Sequence, residues 1–146
     1  MKDRQKYRIQ AGPGVWFPFE SPYQCQVDYV TKVIEALTTS SNALLESPTG
    51  TGKTICLLSA CIAVLKEERQ QKNRSEPPRT LVYCTRTHSQ IKQVMDEIKN
   101  LLPYEVNVIN LASKVHMCVN GDMNKKFESH TLNHICAKLR MAKKSD

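Results

Sequence analysis

The sequence lacks any apolar run close to the roughly 18 residues that a membrane-spanning helix requires. Its first ten residues are charged and polar, and no apolar segment typical of a secretory signal follows them. These two absences predict a soluble intracellular protein with no membrane partner. In a reducing compartment the six cysteines are expected to be free thiols or metal ligands rather than disulfides.

Acidic residues are scarce as well, since 14 Asp and Glu stand against 21 Lys and Arg, giving a net charge of +7. A surplus of this sign favours a polyanionic partner, because basic side chains release counterions from phosphate backbones. Basic residues near the end of the sequence either line a path for single-stranded DNA or form a solvated surface. They are Lys125, Lys126, Lys138, Arg140, Lys143 and Lys144.

The apolar pattern predicts helices that alternate with short strands after a basic lead at residues 2–22. The expected helices cover residues 26–37, 54–65 and 89–102, and the expected strands cover 42–46, 80–84 and 106–111. This alternation is typical of an α/β fold in which helices flank a parallel sheet. The pattern ends near residue 111, so we expect one domain at 1–110 and a different segment at 111–146.

A phosphate-binding loop is the strongest motif. Residues 47–54 read Ser-Pro-Thr-Gly-Thr-Gly-Lys-Thr, which is the P-loop pattern with serine at its first position instead of glycine. The glycines permit the backbone turns by which successive N–H groups surround a phosphate. We predict ATP and Mg²⁺ here, with Lys53 on the β/γ-phosphates and the Thr54 hydroxyl on the metal as the catalytic residues. The expected nucleotide contacts are Ser47, Pro48, Thr49, Gly50, Thr51, Gly52, Lys53 and Thr54.

Three stretches around this loop carry a family resemblance. Residues 45–54 (LESPTGTGKT) resemble motif I of the iron–sulfur superfamily 2 DNA helicases of the xeroderma pigmentosum group D type. Residues 82–90 (VYCTRTHSQ) resemble motif Ia of that family, and residues 17–26 resemble the segment whose glutamine reads adenine. The resemblance implies a RecA-like first motor domain, and it makes Gln26, rather than Gln24, the adenine contact. It also implies that DNA is contacted by Thr85, Arg86, Thr87 and His88.

The segment after residue 110 resembles the start of the family's iron–sulfur domain. Residues 111–118 (LASKVHMC) resemble the stretch with the first cluster cysteine. The resemblance implies a [4Fe-4S] cluster for which Cys118 and Cys136 supply two of the four thiolates that such a cluster requires. A zinc site formed by these cysteines with His130 and His134 is the rival interpretation. The other cysteines, Cys25, Cys56, Cys61 and Cys84, are expected in the core.

The resemblance implies a nuclear ATP-dependent helicase that moves 5′ to 3′ on single-stranded DNA and acts at duplex junctions. Within the family the cysteine setting is most similar to the telomere-maintenance branch, which implies roles in telomere stability and DNA repair. The sequence contains no Asp-Glu-Ala-His motif II, so we interpret it as an inactive N-terminal fragment of such an enzyme. The alternatives are a non-catalytic nucleotide-binding or interaction fragment and a P-loop ATPase unrelated to DNA.

Overall fold

The computed structural model describes residues 7–71, 79–121 and 129–142. Its strands are β1 (Tyr7–Ile9) and β2 (Val15–Phe17), and its helices are α1 (Gln24–Thr38), α2 (Lys53–Gln71), α3 (His88–Asn100), α4 (Lys114–Met117) and α5 (Ser129–Ala142). The chain divides into two compact units, Met1–Val106 and Asn107–Asp146. In the ranges given above, no helix is long and apolar enough to cross a membrane.

The first unit contains a hairpin within the basic lead, where the sequence pattern predicted neither a strand nor a helix. β1 and β2 are antiparallel, with Arg8 opposite Trp16 and Ile9 opposite Val15. Because side chains alternate along a strand, Ile9 and Val15 are buried while Arg8 and Trp16 lie on the outer face. The turn needs a glycine at Gly12, where φ is +52° and an added Cβ would lie 2.8 Å from a methyl carbon of Ile34.

Two helices complete the core of this unit. α1 directs Val30, Val33 and Ile34 inward, at the spacing that predicted it. α2 packs against both α1 and β2. It is apolar on every side along its first three turns, where residues 55, 56 and 58–64 are all buried. The three predicted helices are therefore confirmed, and α2 continues six residues beyond its expected end.

The predicted parallel sheet is not formed in the part of the chain that the structure describes, where β1 and β2 make the only sheet. Residues 42–46, 80–84 and 106–111 have no regular secondary structure. Each places one side chain on the core, namely Leu45, Tyr83 and Val106. Their other apolar side chains are exposed, with Ile109 at 82%. A parallel strand requires a hydrogen-bonded neighbour and covered faces, and these segments have neither.

The second unit contains the short helix α4 and the longer helix α5, which pack against each other. Leu132 of α5 is completely buried in this small unit. Cys118 follows α4 directly, and Cys136 lies in the middle of α5. The packing of the two helices therefore brings the segments that carry these two thiols into one small unit.

Candidate nucleotide-binding site

The backbone of residues 47–54 turns at two glycines. Gly50 has φ +83° and Gly52 has φ +75°, a region that side chains with a Cβ rarely adopt. An added Cβ on Gly52 would also lie 3.1 Å from Nε2 of Gln26 and 3.2 Å from a methyl carbon of Ile55. Both glycines are therefore required by conformation, and Gly52 is also required by close packing.

Lys53 closes the loop upon itself. It is the first residue of α2, and its Nζ donates hydrogen bonds of 2.8 Å to the carbonyl oxygens of Ser47 and Pro48. The ammonium thus lies inside the loop in which it is predicted to bind the phosphates of a nucleotide. Phosphate oxygens are stronger acceptors for an ammonium than neutral carbonyls are. An incoming nucleotide can therefore displace these two carbonyls.

Ser47 has a partner that the sequence analysis did not anticipate. Its Oγ lies 2.6 Å from Oγ1 of Thr51, and the Thr51 hydroxyl donates in turn to the carbonyl of Pro48 at 2.8 Å. Because the single hydroxyl proton of Thr51 is donated to the carbonyl of Pro48, the hydroxyl of Ser47 is the donor in the hydrogen bond between Ser47 and Thr51. The serine at the first position of the motif thus holds the two sides of the loop together.

Gln26 connects the loop to the start of α1. Its side chain is buried, its Oε1 accepts from the backbone N–H of Tyr23 at 2.9 Å, and its Nε2 donates to the carbonyl of Thr51 at 3.0 Å. Gln24 is exposed, and its amide donates to Asp28 at 2.9 Å. Both polar atoms of Gln26 are thus engaged within the protein. Its contact with adenine stays a prediction.

The remaining predicted nucleotide contacts lie next to these groups. Thr54 is half-buried at the second position of α2, and Thr49 is exposed at the tip of the loop. The fold therefore brings Gln26 to the loop from a separate element. The motif at 47–54 does not indicate this contact, because Gln26 lies on a different element, α1.

The predicted DNA-contacting residues form the entry to α3. Thr87 is the N-cap of that helix, and its hydroxyl accepts from the backbone N–H of Gln90 at 3.4 Å. Thr85 donates to the carbonyl of Thr87 at 3.0 Å, which folds the loop back on the cap. Arg86 and His88 are exposed at the same place. Contact of this loop with DNA stays a prediction.

The cysteines fall into two groups. Cys56 and Cys61 are buried on α2, as expected, and burial raises the pKa of each thiol to about 11. Cys25 and Cys84 are exposed, so the prediction of a core position is wrong for them. Cys25 lies on the outward side of the first turn of α1, and Cys84 lies in one of the segments that form no strand.

Cys118 and Cys136 are half-buried, and none of the six cysteines, all within the described ranges, forms a disulfide. Over those same ranges no three Cys, His, Asp or Glu side chains gather as a metal site, so the rival zinc site is not assembled. His130 and His134 are instead exposed. Two thiols are half of the donors that a four-iron cluster needs, so these residues fit the cluster only in part. Lys125, Lys126, Lys143 and Lys144 lie outside the described residues.

Comparison with known proteins bears on the family. The DEAD_2 family model matches residues 83–146. The human protein named regulator of telomere elongation helicase 1 is 34% identical over 160 residues, which cover 87% of this chain and 13% of that protein. The Arabidopsis thaliana homolog of that helicase is 37% identical over 155 residues, covering 87% of this chain and 15% of the relative.

The Caenorhabditis elegans homolog is 34% identical over 143 residues, covering 84% of this chain and 14% of the relative. No solved structure matches the chain. The chain thus spans about one seventh of the length of these curated relatives, with shares of 13% to 15%. The resemblance predicted from motifs I and Ia is confirmed, and the chain is related over most of its length to the regulators of telomere elongation helicase.

Proposed function

We propose that this chain is the nucleotide-binding part of an ATP-dependent DNA helicase. The observation that carries the proposal is the position of the Lys53 ammonium, 2.8 Å from two carbonyls of a loop that turns at two left-handed glycines. A turn that merely joined two elements would need neither a cation inside it nor glycine at both positions. The relation to helicases supplies the class of motor.

When ATP binds, the ammonium of Lys53 exchanges its backbone carbonyl acceptors for phosphate oxygens. Lys53 leaves the carbonyls of Ser47 and Pro48 and pairs with the β/γ-phosphates, while backbone N–H groups of the loop and of the first turn of α2 surround the phosphate oxygens. The hydroxyl of Thr54 would hold Mg²⁺, which would neutralise phosphate charge. Gln26 and Ser47 keep the loop in shape during the exchange, through the contacts described above.

The test is ATP affinity measured by calorimetry on the purified chain. Lys53→Ala is expected to weaken binding by at least about tenfold, because hydrogen bonds to charged groups contribute about 1.5–3 kcal/mol each. Lys32→Ala is the matched control, since Lys32 is an exposed lysine of α1 paired only with Glu35. Equal affinities of the two variants would exclude residues 47–54 as the nucleotide site.

The DNA-binding part of the proposal rests on the helicase relation and on the loop before α3. Thr85, Arg86, Thr87 and His88 contact the backbone of a tracking strand in this proposal, and the exposure of Arg86 and His88 supports it. The motor moves 5′ to 3′ on single-stranded DNA, unwinds duplex at junctions and works in the nucleus in telomere stability and DNA repair. Each of these statements depends on the resemblance to the helicase family.

Two further proposals concern the segments without regular secondary structure and the two half-buried cysteines. We propose that residues 42–46, 80–84 and 106–111 pair as strands of a RecA-like parallel sheet once neighbouring strands are present, with 1–110 as part of the first motor domain. We also propose that Cys118 and Cys136, in the segment 111–146, supply two of four thiolates to a [4Fe-4S] cluster. Their half-buried positions, directly after α4 for Cys118 and within α5 for Cys136, support this, because a ligand must be held in place yet remain accessible to the metal.

A second candidate is a non-catalytic nucleotide-binding or interaction fragment. The observation in its favour is that the sequence contains no Asp-Glu-Ala-His motif to hold Mg²⁺ and position water. A P-loop ATPase unrelated to DNA is the third candidate. Stimulation of ATP hydrolysis by DNA in a protein that carries this chain with motif II separates the helicase from both.

A further inference from the structure

The outer face of the β1–β2 hairpin carries an arrangement that the nucleotide site does not use. The guanidinium of Arg8 lies over the ring of Trp16, 5.7 Å from the ring centroid. The Nζ of Lys66, on α2, lies over the ring of Tyr104 at 5.6 Å. We name Arg8, Trp16, Lys66 and Tyr104 the aromatic–basic cluster. It alternates two cations with two aromatic rings on one surface of the first unit.

Tyr104 fixes the position of the aromatic–basic cluster through a hydrogen bond and through packing against the core. The backbone N–H of Trp16 donates to the phenol oxygen of Tyr104 at 2.7 Å, which joins the outer edge of β2 to the segment after α3. Tyr104 is half-buried and packs against the core, so it is a rigid support. Burial raises the pKa of Tyr104, and the nearby charge of Arg8 opposes that rise, as expected if the guanidinium lies close to the phenol.

The charges of the cluster have no carboxylate partners. Among the residues that the structure describes, neither Arg8 nor Lys66 forms an ion pair, whereas Lys32 and Arg79 do. Trp16 keeps 43% of its surface exposed although it is a large aromatic residue on a strand. Trp16 adds little to the core, which Ile9, Val15 and Phe17 already fill, so its exposed surface and the two cations without carboxylate partners are open to a ligand.

The geometry points to the aromatic–basic cluster as a second contact for single-stranded DNA, apart from the loop before α3. A base stacks on the exposed part of Trp16, and the neighbouring phosphates pair with Arg8 and Lys66. Grooves for single strands combine these two elements, because every base has a face that can stack and every nucleotide carries a phosphate. The net charge of +7 favours the same polyanion. This inference rests on the proposed function only in choosing DNA as the partner.

The chain offers a direct measurement, because Trp16 is its only tryptophan. We expect its fluorescence to be quenched to saturation when the chain is titrated with an oligothymidylate of roughly 12 nucleotides, a length within the usual site size. An abasic oligomer of the same length presents the same phosphates without bases, and it should leave the emission nearly unchanged. Unchanged emission with saturating oligothymidylate, or equal quenching by the abasic strand, would overturn the inference.

Variants give a second measurement, with DNA affinity read from the anisotropy of a labelled strand. Trp16→Ala should weaken binding by at least about fivefold and Trp16→Phe by much less, because phenylalanine retains a stacking face. Arg8→Gln should weaken binding and lower the slope of log affinity against log salt by roughly 0.7, as for one lost phosphate contact. The matched control is Arg79→Gln, which makes the same charge change at a guanidinium already paired with Glu68.

Equal DNA affinities of Arg8→Gln and Arg79→Gln would contradict the inference. Trp16→Phe keeps the result interpretable if Trp16→Ala fails to fold. ATP affinity is expected to stay at the wild-type value in Trp16→Phe and Arg8→Gln, because the hydrogen bond and ring contact described for Arg8 and Trp16 involve no residue of the loop at 47–54. In the wild-type chain, absence of quenching by oligothymidylate together with intact ATP binding rejects the cluster alone, and quenching without any ATP binding rejects the nucleotide site alone.

Discussion

At the scale of single residues, the phosphate loop depends on a serine that its motif does not require. The hydroxyl of Ser47 donates to Thr51 across the loop at 2.6 Å, whereas a glycine at this position could not. A loop that is already closed loses less conformational freedom when phosphate binds. In the proposed nucleotide site Ser47 is therefore a positioning residue, which contacts the loop rather than the reacting atoms.

Ser47→Ala should weaken ADP binding by roughly twofold to tenfold, the equivalent of one net hydrogen bond of about 0.5–1.5 kcal/mol. Ser47→Thr retains a hydroxyl and should restore most of the affinity. Titration calorimetry on the three proteins measures both effects. An alanine variant that binds ADP as tightly as the wild type would show that the bond to Thr51 has no part in binding.

The thiols should differ sharply in reactivity, because only a thiolate is nucleophilic. Cys56 and Cys61 are buried, and because their pKa values are about 11, both thiols are almost wholly protonated at pH 8. Cys25 and Cys84 are exposed. Brief alkylation followed by mass spectrometry should label Cys25 and Cys84 first. Cys56 and Cys61 should react only as the pH approaches 11 or when the chain is unfolded. Early labelling of either buried cysteine in folded protein would contradict the packing of α2.

At the scale of elements, the three helices of the first unit could be predicted and its strands could not. A helix satisfies its own hydrogen bonds, so the spacing of Val30, Val33 and Ile34 was enough to place α1. A strand depends on partners that can be distant in sequence, and residues 42–46 have none in the described chain. The hairpin was overlooked because its strands are only three residues long, although alternating apolar residues flank the glycines at 12 and 14.

Substitutions of Gln26 test whether the hydrogen bond between α1 and the loop at 47–54 stabilises the candidate site. Gln26→Ala removes the hydrogen bond that joins α1 to the carbonyl of Thr51 and the one that the side chain accepts from the N–H of Tyr23 at the start of α1. It leaves both partners unsatisfied, at a cost of about 1–3 kcal/mol of unfolding free energy. Gln26→Glu retains the acceptor for the N–H of Tyr23 but cannot donate to Thr51, so it should lose part of that stability. Both variants should also bind ATP less tightly than the wild type.

Urea unfolding measures the stability change, and Gln24→Ala is the matched control because Gln24 is exposed and bonds only within α1. Equal stabilities of Gln24→Ala and Gln26→Ala would show that the bridge to Thr51 contributes nothing. A loss of ATP affinity in Gln26→Ala with unchanged stability would instead favour the adenine contact that the family resemblance implies.

At the scale of the whole molecule, the candidate site was more predictable than the fold around it. The residues at 47–54 are contiguous, so their chemistry could be interpreted without knowing the sheet. Gln26, by contrast, reaches the loop only through the packing of α1, and the aromatic–basic cluster joins residues as distant as Arg8 and Tyr104. Contacts of that range depend on tertiary structure, which local patterns do not specify.

The chain described here should bind ATP weakly and should show no hydrolysis stimulated by DNA. In the proposed function the loop at 47–54 binds nucleotide in its ground state, whereas hydrolysis requires a positioned water, a further Mg²⁺ ligand and usually an arginine aimed at the developing charge. The sequence after motif Ia contains no Asp-Glu-Ala-His motif to supply the first two. Phosphate release with and without single-stranded DNA measures the activity. DNA-dependent release that disappears in Lys53→Ala would demonstrate that residues already within the chain position the water.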